Sequence, residues 1–564
     1  MKADRLDVAR ALREIGALLQ LTGENPYKAR AYETGAAAVE GMGGDLGARV
    51  AGRSLTEVPG IGKALAAQIG ELAATGSSSL LESLRAKVPP GSVALMDVPS
   101  MTLKRIRALH DALGIDSVES LRKACEEGRV RGVRGFGAKT EAAILEGVRA
   151  YDRHDERVLL VDAITIAEHA ALHMRACPAV ERAEIVGSVR RWTEAVGDVD
   201  VLAITRDPDA AVAHFVRLPS VARVESRSAE GAALRIGGGV KVDLHVAPPA
   251  RAGSAMVRFT GSASHVARLE AIAASRGLTL AEIPGRTEED VYRALGLAPV
   301  PPELREDEGE IEASGNGTLA SDLLTVADIQ GMVHCHTAFS DGRNTVLEMA
   351  REAEAMGMKY ITITDHSPAA HYAGGVDLER LKVQWAEIDE AQEHVTVKIL
   401  RGTESDILAD GSLDYPDRVL ERFDVIIASI HGRMKMDEDQ MTARIRRAME
   451  LPVFKIWGHA LGRLVLRRPP VACRVEEILD VIAGARAAIE INGDPYRLDM
   501  APPWLREARK RDLRFVVSVD AHSTRGMRVL PFGVAMARRA GVRRGEVLNA
   551  LPASAFARAV RPAA

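Results

Sequence analysis

The chain has 564 residues, 47% of them hydrophobic and 27% charged, with a formal net charge of −4. That length exceeds a single hydrophobic core, and that composition excludes a disordered or fibrous chain. The start, MKADRLDVARALREIG, is charged and lacks a signal-peptide core, and no run of about 18 apolar residues follows, so no membrane span and a cytoplasmic location are expected. Cys125, Cys177, Cys335 and Cys473 are scattered without a CxxC pair, which speaks against a disulfide framework or a zinc finger.

Residues 1 to about 150 read as helices joined by short glycine turns. In VPGIGKALAAQI, Gly60 and Gly62 permit a tight turn into a new helix. The amides at such a helix start point outward and can grip a phosphate without reading sequence. VRGFGAKTEAAIL repeats the pattern with Gly135, Gly137 and Lys139. Two copies favour contact with a DNA backbone over a plain helix–helix turn. VPSMTLKRIRAL has the same frame with Ser100 and Thr102 in place of glycines, and is expected to hold the fold and not to bind phosphate. Residues 99–150 carry 10 Lys or Arg against 7 Asp or Glu, a modest local excess of +3.

From about 157 the pattern becomes that of a small mixed α/β unit. In GDVDVLAI, Asp198 and Asp200 are two residues apart, which on a strand puts both on one face. Asp243, in KVDLHV, belongs to another expected strand. Three carboxylates converging from adjacent strands can hold two Mg²⁺ or Mn²⁺ ions, enough to activate a 3′-hydroxyl and stabilise a leaving pyrophosphate. Just upstream, GSVRR offers Gly187 and Ser188 for close approach of a triphosphate and Arg191 to neutralise it.

The series Gly187-Ser188-Val189-Arg190-Arg191, Gly197-Asp198-Val199-Asp200, Val242-Asp243-Leu244 and Phe259-Thr260-Gly261-Ser262 resembles the family X DNA polymerases in order and spacing. The helical amino-terminal region is similar to that family as well. The resemblance implies transfer of a nucleotidyl group from a dNTP to a primer 3′-end. It implies catalytic metals on Asp198, Asp200 and Asp243, triphosphate on Gly187, Ser188 and Arg191, and Phe259 and Gly261 beside the sugar. Three positions depart from the family pattern. Arg258 stands where the family has Tyr, and Val266 where it has Asn. Gln68 stands where lyase-active members have the Schiff-base lysine, so lyase activity is not expected, Lys63 being the nearest amine.

Residues 301–327 show no apolar periodicity and read as a linker. After 328, seven apolar runs, GMVHCH, KYITITDH, VKILRGTE, DVIIASIH, FKIWGH, AAIEING and RFVVSVDAH, alternate with helical segments, the pattern of a parallel βα barrel. Eight of the 15 histidines lie from His334 onward. His334, His336, Asp341, His366, Glu404, His431, His459, Asp520 and His522 each end an apolar run or follow one closely. In a βα barrel the strand carboxyl ends meet at one mouth, where active sites form. Nine nitrogen and oxygen donors without thiolate suit two or three divalent ions of the Mn²⁺, Zn²⁺ or Fe²⁺ type. Cys335, between two donors, is expected to face the core.

The motifs HxH, TDH, GTE, SIH, GH and DAH resemble the polymerase-and-histidinol-phosphatase (PHP) domain over 328–564. That resemblance implies one metal on His334, His336, Glu404 and Asp520. It implies a second sharing Glu404 with His431 and His459, and a third on Asp341, His366 and His522. Arg463 and Arg497 are candidates for holding substrate phosphate, while His371 and His394 read as surface or core residues. The order of the two families resembles bacterial family X polymerases. The implied function is gap-filling repair on DNA with gapped or recessed ends, coupled to a 3′–5′ exonuclease, in a monomer.

The expected architecture is therefore multidomain. It comprises a helical amino-terminal domain (1–85), helix-hairpin-helix fingers (86–154), an α/β nucleotidyltransferase palm (155–252), a small thumb (253–300), the linker (301–327) and a distorted seven-stranded, TIM-like PHP barrel (328–564). The alternative readings are a phosphoesterase whose polymerase half only presents DNA, and a non-catalytic DNA-end scaffold.

Overall fold

The computed structural model describes residues 5–22, 24, 26–40, 46–52, 54–58, 61–89, 91–98, 100–155, 157–219, 221–237 and 239–562. The chain divides into two compact units, the first spanning Met1–Arg157 and the second Val158–Ile236 with Val240–Ala564.

The first unit is helical. Helices Arg5–Leu21, Lys63–Thr75 and Ser79–Arg85 bury Leu12, Ile15, Ile69, Leu72 and Leu81 in one core. Helices Leu103–Leu113, Val118–Glu126 and Ala138–Asp155 bury Ile106, Leu109, Leu121 and Ile144 in another. Apolar residues at helical spacing on one face are what both cores require.

The second unit begins with the short pair β1 (Val158–Leu159) and β3 (Ala195–Val196). Its first large sheet has five strands, β2 (Val180–Ile185), β4 (Asp198–Thr205), β5 (Val221–Ser228), β6 (Gly231–Ile236) and β7 (Lys241–Ala247), in the order 2-4-7-6-5. Here β4 and β7 are parallel and the other pairs antiparallel. Helices Ala252–Thr260, Ala263–Ser275 and Glu288–Ala294 follow as the thumb, around Val257, Leu269 and Tyr292.

The expected linker 301–327 is instead folded. It contains a turn at Pro302–Leu304 and a helix at Glu310–Asn316, and its Ile311 joins the thumb core. Buried charge pairs hold it in place of an apolar stripe, which is why it lacks a periodic signal. Arg305, 2% exposed, meets Glu288 at 2.5 Å, and Glu310 meets His265 at 2.5 Å. Glu303 pairs with Arg538 on the barrel at 2.7 Å.

The barrel has seven parallel strands, β8 (Gly331–Cys335), β9 (Tyr360–Ile363), β10 (Lys398–Asp406), β11 (Val425–Ser429), β12 (Lys455–Trp457), β13 (Ala487–Asn492) and β14 (Phe515–Ser518), in sequential order. A parallel bridge between Cys335 and Ala521 nearly closes the ring. Val333, Leu400, Ile427, Ile456 and Val516 pack with Phe556 in one cluster, while their neighbours Ile426 and Ala428 join the cluster that includes the surrounding helices. Alternation along each strand gives the barrel an apolar interior, above which the strand carboxyl ends gather.

Palm and thumb are clasped at Glu288, which Arg190 meets at 2.7 Å and Arg305 at 2.5 Å. Burial would raise this carboxyl, but the two guanidinium groups outweigh it and hold it down, from 4.5 to about 2. A depressed carboxyl adds stability that is complete above the unfolded value and is lost as pH falls through the folded one. The melting-temperature advantage of the wild type over Glu288→Gln should therefore shrink as pH drops from 4.5 toward 2. A constant difference in scanning calorimetry across that range would contradict the assignment.

Candidate metal centres

In the palm, the parallel register sets Asp200 directly opposite Asp243, with Asp198 one strand period away on the same face. Asp243 is 2.7 Å from Lys241 Nζ, and Asp200 Oδ1 is 2.8 Å from His245 Nε2. Burial raises the Asp198 carboxyl, and the neighbouring Asp200 and Asp243 raise it further. Such repulsion among like charges is what a divalent cation relieves, so the donor set fits one. Gly187 adopts φ +67°, and a Cβ there would overlap the Asp200 carboxylate, so only glycine serves. Ser188 Oγ is buried without a hydrogen-bond partner. Phe259 stacks on His245 with centroids 3.9 Å apart, and Arg258 lies over Phe259 at 5.6 Å. Gly261 ends the helix that carries them, with Val266 packed close by.

Arg191 departs from its expected state. Its guanidinium is taken by Glu306 at 3.0 Å and by the Thr260 carbonyl at 2.8 Å. The same Glu306 oxygen meets Arg539 of the barrel at 3.2 Å. A triphosphate reaching Arg191 must compete with that carboxylate.

At the barrel mouth all nine expected donors converge. His334, His336, Glu404 and Asp520 form one group whose ligand atoms lie within 4.8 Å of one another; His366, Glu404 and His431 form a second; His336, Asp341, His366 and His522 form a third. His459 Nε2 is 2.9 Å from Glu404 and 3.2 Å from His431 Nε2. The first group is the expected set. The other two differ from their expected sets: His366 stands with Glu404 and His431 where His459 was expected, and His336 joins Asp341, His366 and His522.

Backbone bends aim these donors. His334, His459 and Asp520 adopt φ of +68°, +24° and +51°. The β8 register shifts between Met332 and Cys335. This irregularity lets Val333 and His334 both turn inward while Cys335 packs in the outer core, as expected for Cys335.

The electrostatics of the cluster fit divalent cations. Burial opposes ionisation of Glu404, but His431, His334 and His366 outweigh it and hold the carboxyl well below its ordinary value. Burial lowers His366, yet Glu404 and Asp341 raise it to about 10; His336, buried and facing His522 and His366, falls to about 4. Buried atoms without hydrogen-bond partners include His334 Nε2, both His336 nitrogens, both Glu404 oxygens, His459 Nδ1 and Asp520 Oδ1. Carboxylate and imidazole atoms crowded together in that state are met better by divalent cations than by protons.

A second layer of residues, absent from the sequence expectations, positions the donors. Glu490, fully buried on β13, lies 2.5 Å from His334 Nδ1 and also accepts from the His459 amide and the Ser518 hydroxyl. Asp406 is 3.2 Å from His431 Nδ1. Asp365 binds the Thr337 amide at 2.7 Å and Gln384 at 2.7 Å. Asp365 and Asp406 lie one and two residues from the donors His366 and Glu404, and that spacing was the available signal; Glu490 has no donor near it in sequence.

Arg497 lies 3.5 Å from Asp520, at the cluster. Arg463 does not serve the mouth: it meets Glu194 of the palm at 2.7 Å and the Leu498 carbonyl. It braces the barrel against the palm, because the loop after His459 turns toward Glu194. His371 and His394 are exposed. Among the hairpin residues, Gly62 caps helix Lys63–Thr75, Gly135 has φ +91° and Lys139 is exposed at the start of helix Ala138–Asp155. A Cβ at Gly62, Gly135 or Gly137 would meet no neighbouring atom within 4 Å, so these backbones are open to an outside partner. Gly60 lies outside the described residues. Ser100 takes φ +73° without glycine, and Thr102 caps helix Leu103–Leu113.

Fold and sites together define a polymerase-type palm and thumb joined to a phosphoesterase-type barrel. The family descriptions "Helix-hairpin-helix domain", "SAM-like Helix-hairpin-helix tandem", "DNA polymerase beta thumb" and "PHP domain" match residues 4–78, 92–150, 255–306 and 333–494. The chain is 32% identical over 558 residues to the DNA polymerase/3′-5′ exonuclease PolX of Bacillus subtilis, covering 96% of this chain and 97% of that one. It is 28% identical over 206 residues to a probable phosphatase of Caldanaerobacter subterraneus, covering 34% of this chain and 74% of that protein. A probable phosphatase of a Thermoanaerobacter species is 27% identical over 233 residues, 38% of this chain and 88% of that protein. The chain belongs to the bacterial family X DNA polymerases that carry a carboxy-terminal PHP domain.

Glu490 gives the cluster a test that spares its ligands. Outer carboxylates that orient metal-bound histidines are worth about 10- to 100-fold in metal affinity. Glu490→Gln should lose affinity for Mn²⁺ or Zn²⁺ by that factor in chelator competition. Unchanged affinity in a folded variant would refute the positioning role.

Proposed function

We propose that the protein fills gaps in DNA by nucleotidyl transfer at the palm and trims 3′ ends by phosphodiester hydrolysis at the barrel. The observation that carries this reading is the presence of two separate donor sets, Asp198, Asp200 and Asp243 in one and the nine-residue cluster in the other. Mg²⁺ or Mn²⁺ at the palm, and two or three ions of Mn²⁺, Zn²⁺ or Fe²⁺ at the barrel, would supply Lewis acidity and neutralise charge on phosphate oxygens.

The residues themselves bind and orient. The Gly187 turn, packed on Asp200 where no side chain fits, and the unpartnered Ser188 hydroxyl bind the triphosphate, and Arg191 joins it on leaving Glu306. Phe259 and Gly261 flank the sugar. Gly62, Gly135, Gly137 and Lys139 hold DNA phosphates by backbone amides and charge, together with Gly60 on the sequence pattern. At the barrel, Arg497 beside Asp520 steadies the phosphate under attack. DNA with gapped or recessed ends and dNTPs are the substrates, and the cytoplasm of a bacterium is the setting. Among the described residues no helix is long and apolar enough to cross a membrane.

A second reading, a nuclease whose polymerase half only presents DNA, is favoured by the hold of Glu306 on Arg191. One gapped-DNA experiment separates the two. Asp243→Ala should abolish nucleotide addition and keep exonuclease activity, and His336→Ala should do the reverse. No nucleotide addition by the wild type would favour the second reading. Loss of both activities from either folded variant would contradict two independent sites.

A further inference from the structure

Tyr372 stands at the rim of the barrel mouth, 65% exposed, in the short turn His371–Ala373. Its ring centroid lies 6.1 Å from that of His366 and 6.1 Å from that of His431. A single exposed aromatic is ordinary on a protein surface. This one sits on a turn that is anchored beside the donor cluster. Ala370 and Ala373 are buried on either side of it. Arg380 donates to the Gly374 carbonyl at 2.6 Å, the Gly375 carbonyl at 3.2 Å and the Phe339 carbonyl, and the Tyr415 hydroxyl donates to the Val376 carbonyl. Gly375 packs so closely on the Ser367 backbone that a Cβ would not fit.

The phenol is pushed up by partial burial and then by the carboxylates of Glu404, Asp406 and Asp341. The ring thus stands beside two donors while much of the residue remains in solvent. Arg497, 3.5 Å from Asp520, acts on the same phenol, and exposed Arg343 and Arg433 each lie two residues from a donor, Asp341 and His431. An aromatic face among cations is the chemistry that holds single-stranded nucleic acid, bases stacking on the ring and phosphates meeting the charge.

His334, His336 and Glu404 are fully buried while Asp341 and His522 lie nearer the surface, so a scissile phosphate reaching the Glu404 group must descend past the rim. A terminal nucleotide making that descent leaves its stack and pairing partner, at a cost that a new stacking surface offsets. Resting on the reading of the barrel as a 3′–5′ exonuclease, we propose that the base of the 3′-terminal nucleotide stacks on Tyr372. The residue is thus a specificity determinant that favours single-stranded or unpaired 3′ ends.

The test compares Tyr372→Ala and Tyr372→Phe in the full chain with Mn²⁺, on a single-stranded oligonucleotide and on bis(p-nitrophenyl) phosphate, which has no base. Loss of one stacking contact corresponds to about 5- to 150-fold. Tyr372→Ala should raise KM for the oligonucleotide by at least about fivefold, with the loss confined to that substrate. Tyr372→Phe should stay within about twofold of wild type on both. Equal KM in Tyr372→Ala, a parallel loss on the base-free ester, or a Phe variant as impaired as the Ala variant would each overturn the proposal. A wild type that hydrolyses the ester but no oligonucleotide would instead overturn the exonuclease reading, and this inference with it.

Discussion

Glu404 is fully buried, and five histidines surround it: His366 and His459 at 2.9 Å, His334 and His431 at 3.3 Å and His336 at 3.6 Å. A carboxylate in such a place is costly unless charge of opposite sign meets it. The barrel is arranged around that demand. Strands β8 to β14 bring the donors to one end, left-handed turns at His334, His459 and Asp520 aim three of them, and Glu490 fixes His334 and the His459 backbone from behind. The palm meets a smaller version of the same demand, with Lys241 and His245 partly offsetting three clustered aspartates.

Much of this was legible in the sequence, because the chemistry repeats at regular positions. Seven apolar runs, six of them ending in His or Glu, announce both a parallel barrel and its mouth, and the two-residue spacing of Asp198 and Asp200 places them on one face of β4. What stayed hidden depends on contacts between distant segments. Nothing local marks Glu490 as the partner of His334, 156 residues away. Nothing local marks Arg463 as the partner of Glu194 rather than of a substrate. The segment 301–327 looked like a linker because Arg305 and Glu310 find their counter-charges on the thumb, so no stripe of apolar residues was needed.

That segment also joins the two catalytic halves. Glu306 shares one oxygen between Arg191 of the palm and Arg539 of the barrel, Glu303 holds Arg538, and Trp192 meets Phe532 edge-on at 5.3 Å. Palm, thumb and barrel are consequently one compact unit, and the residue assigned to the triphosphate is also part of the clasp between them. Nucleotide binding at Arg191, as proposed, would draw on the carboxylate that also holds this junction.

Anomalous diffraction from crystals grown with Mn²⁺ and without DNA reads whether one folded unit holds ions at two separate sites. Strong peaks are expected among His334, His336, Asp341, His366, Glu404, His431, His459, Asp520 and His522, with a separate peak beside Asp198, Asp200 and Asp243. A cluster without a peak, or ions held by other residues, would contradict that arrangement.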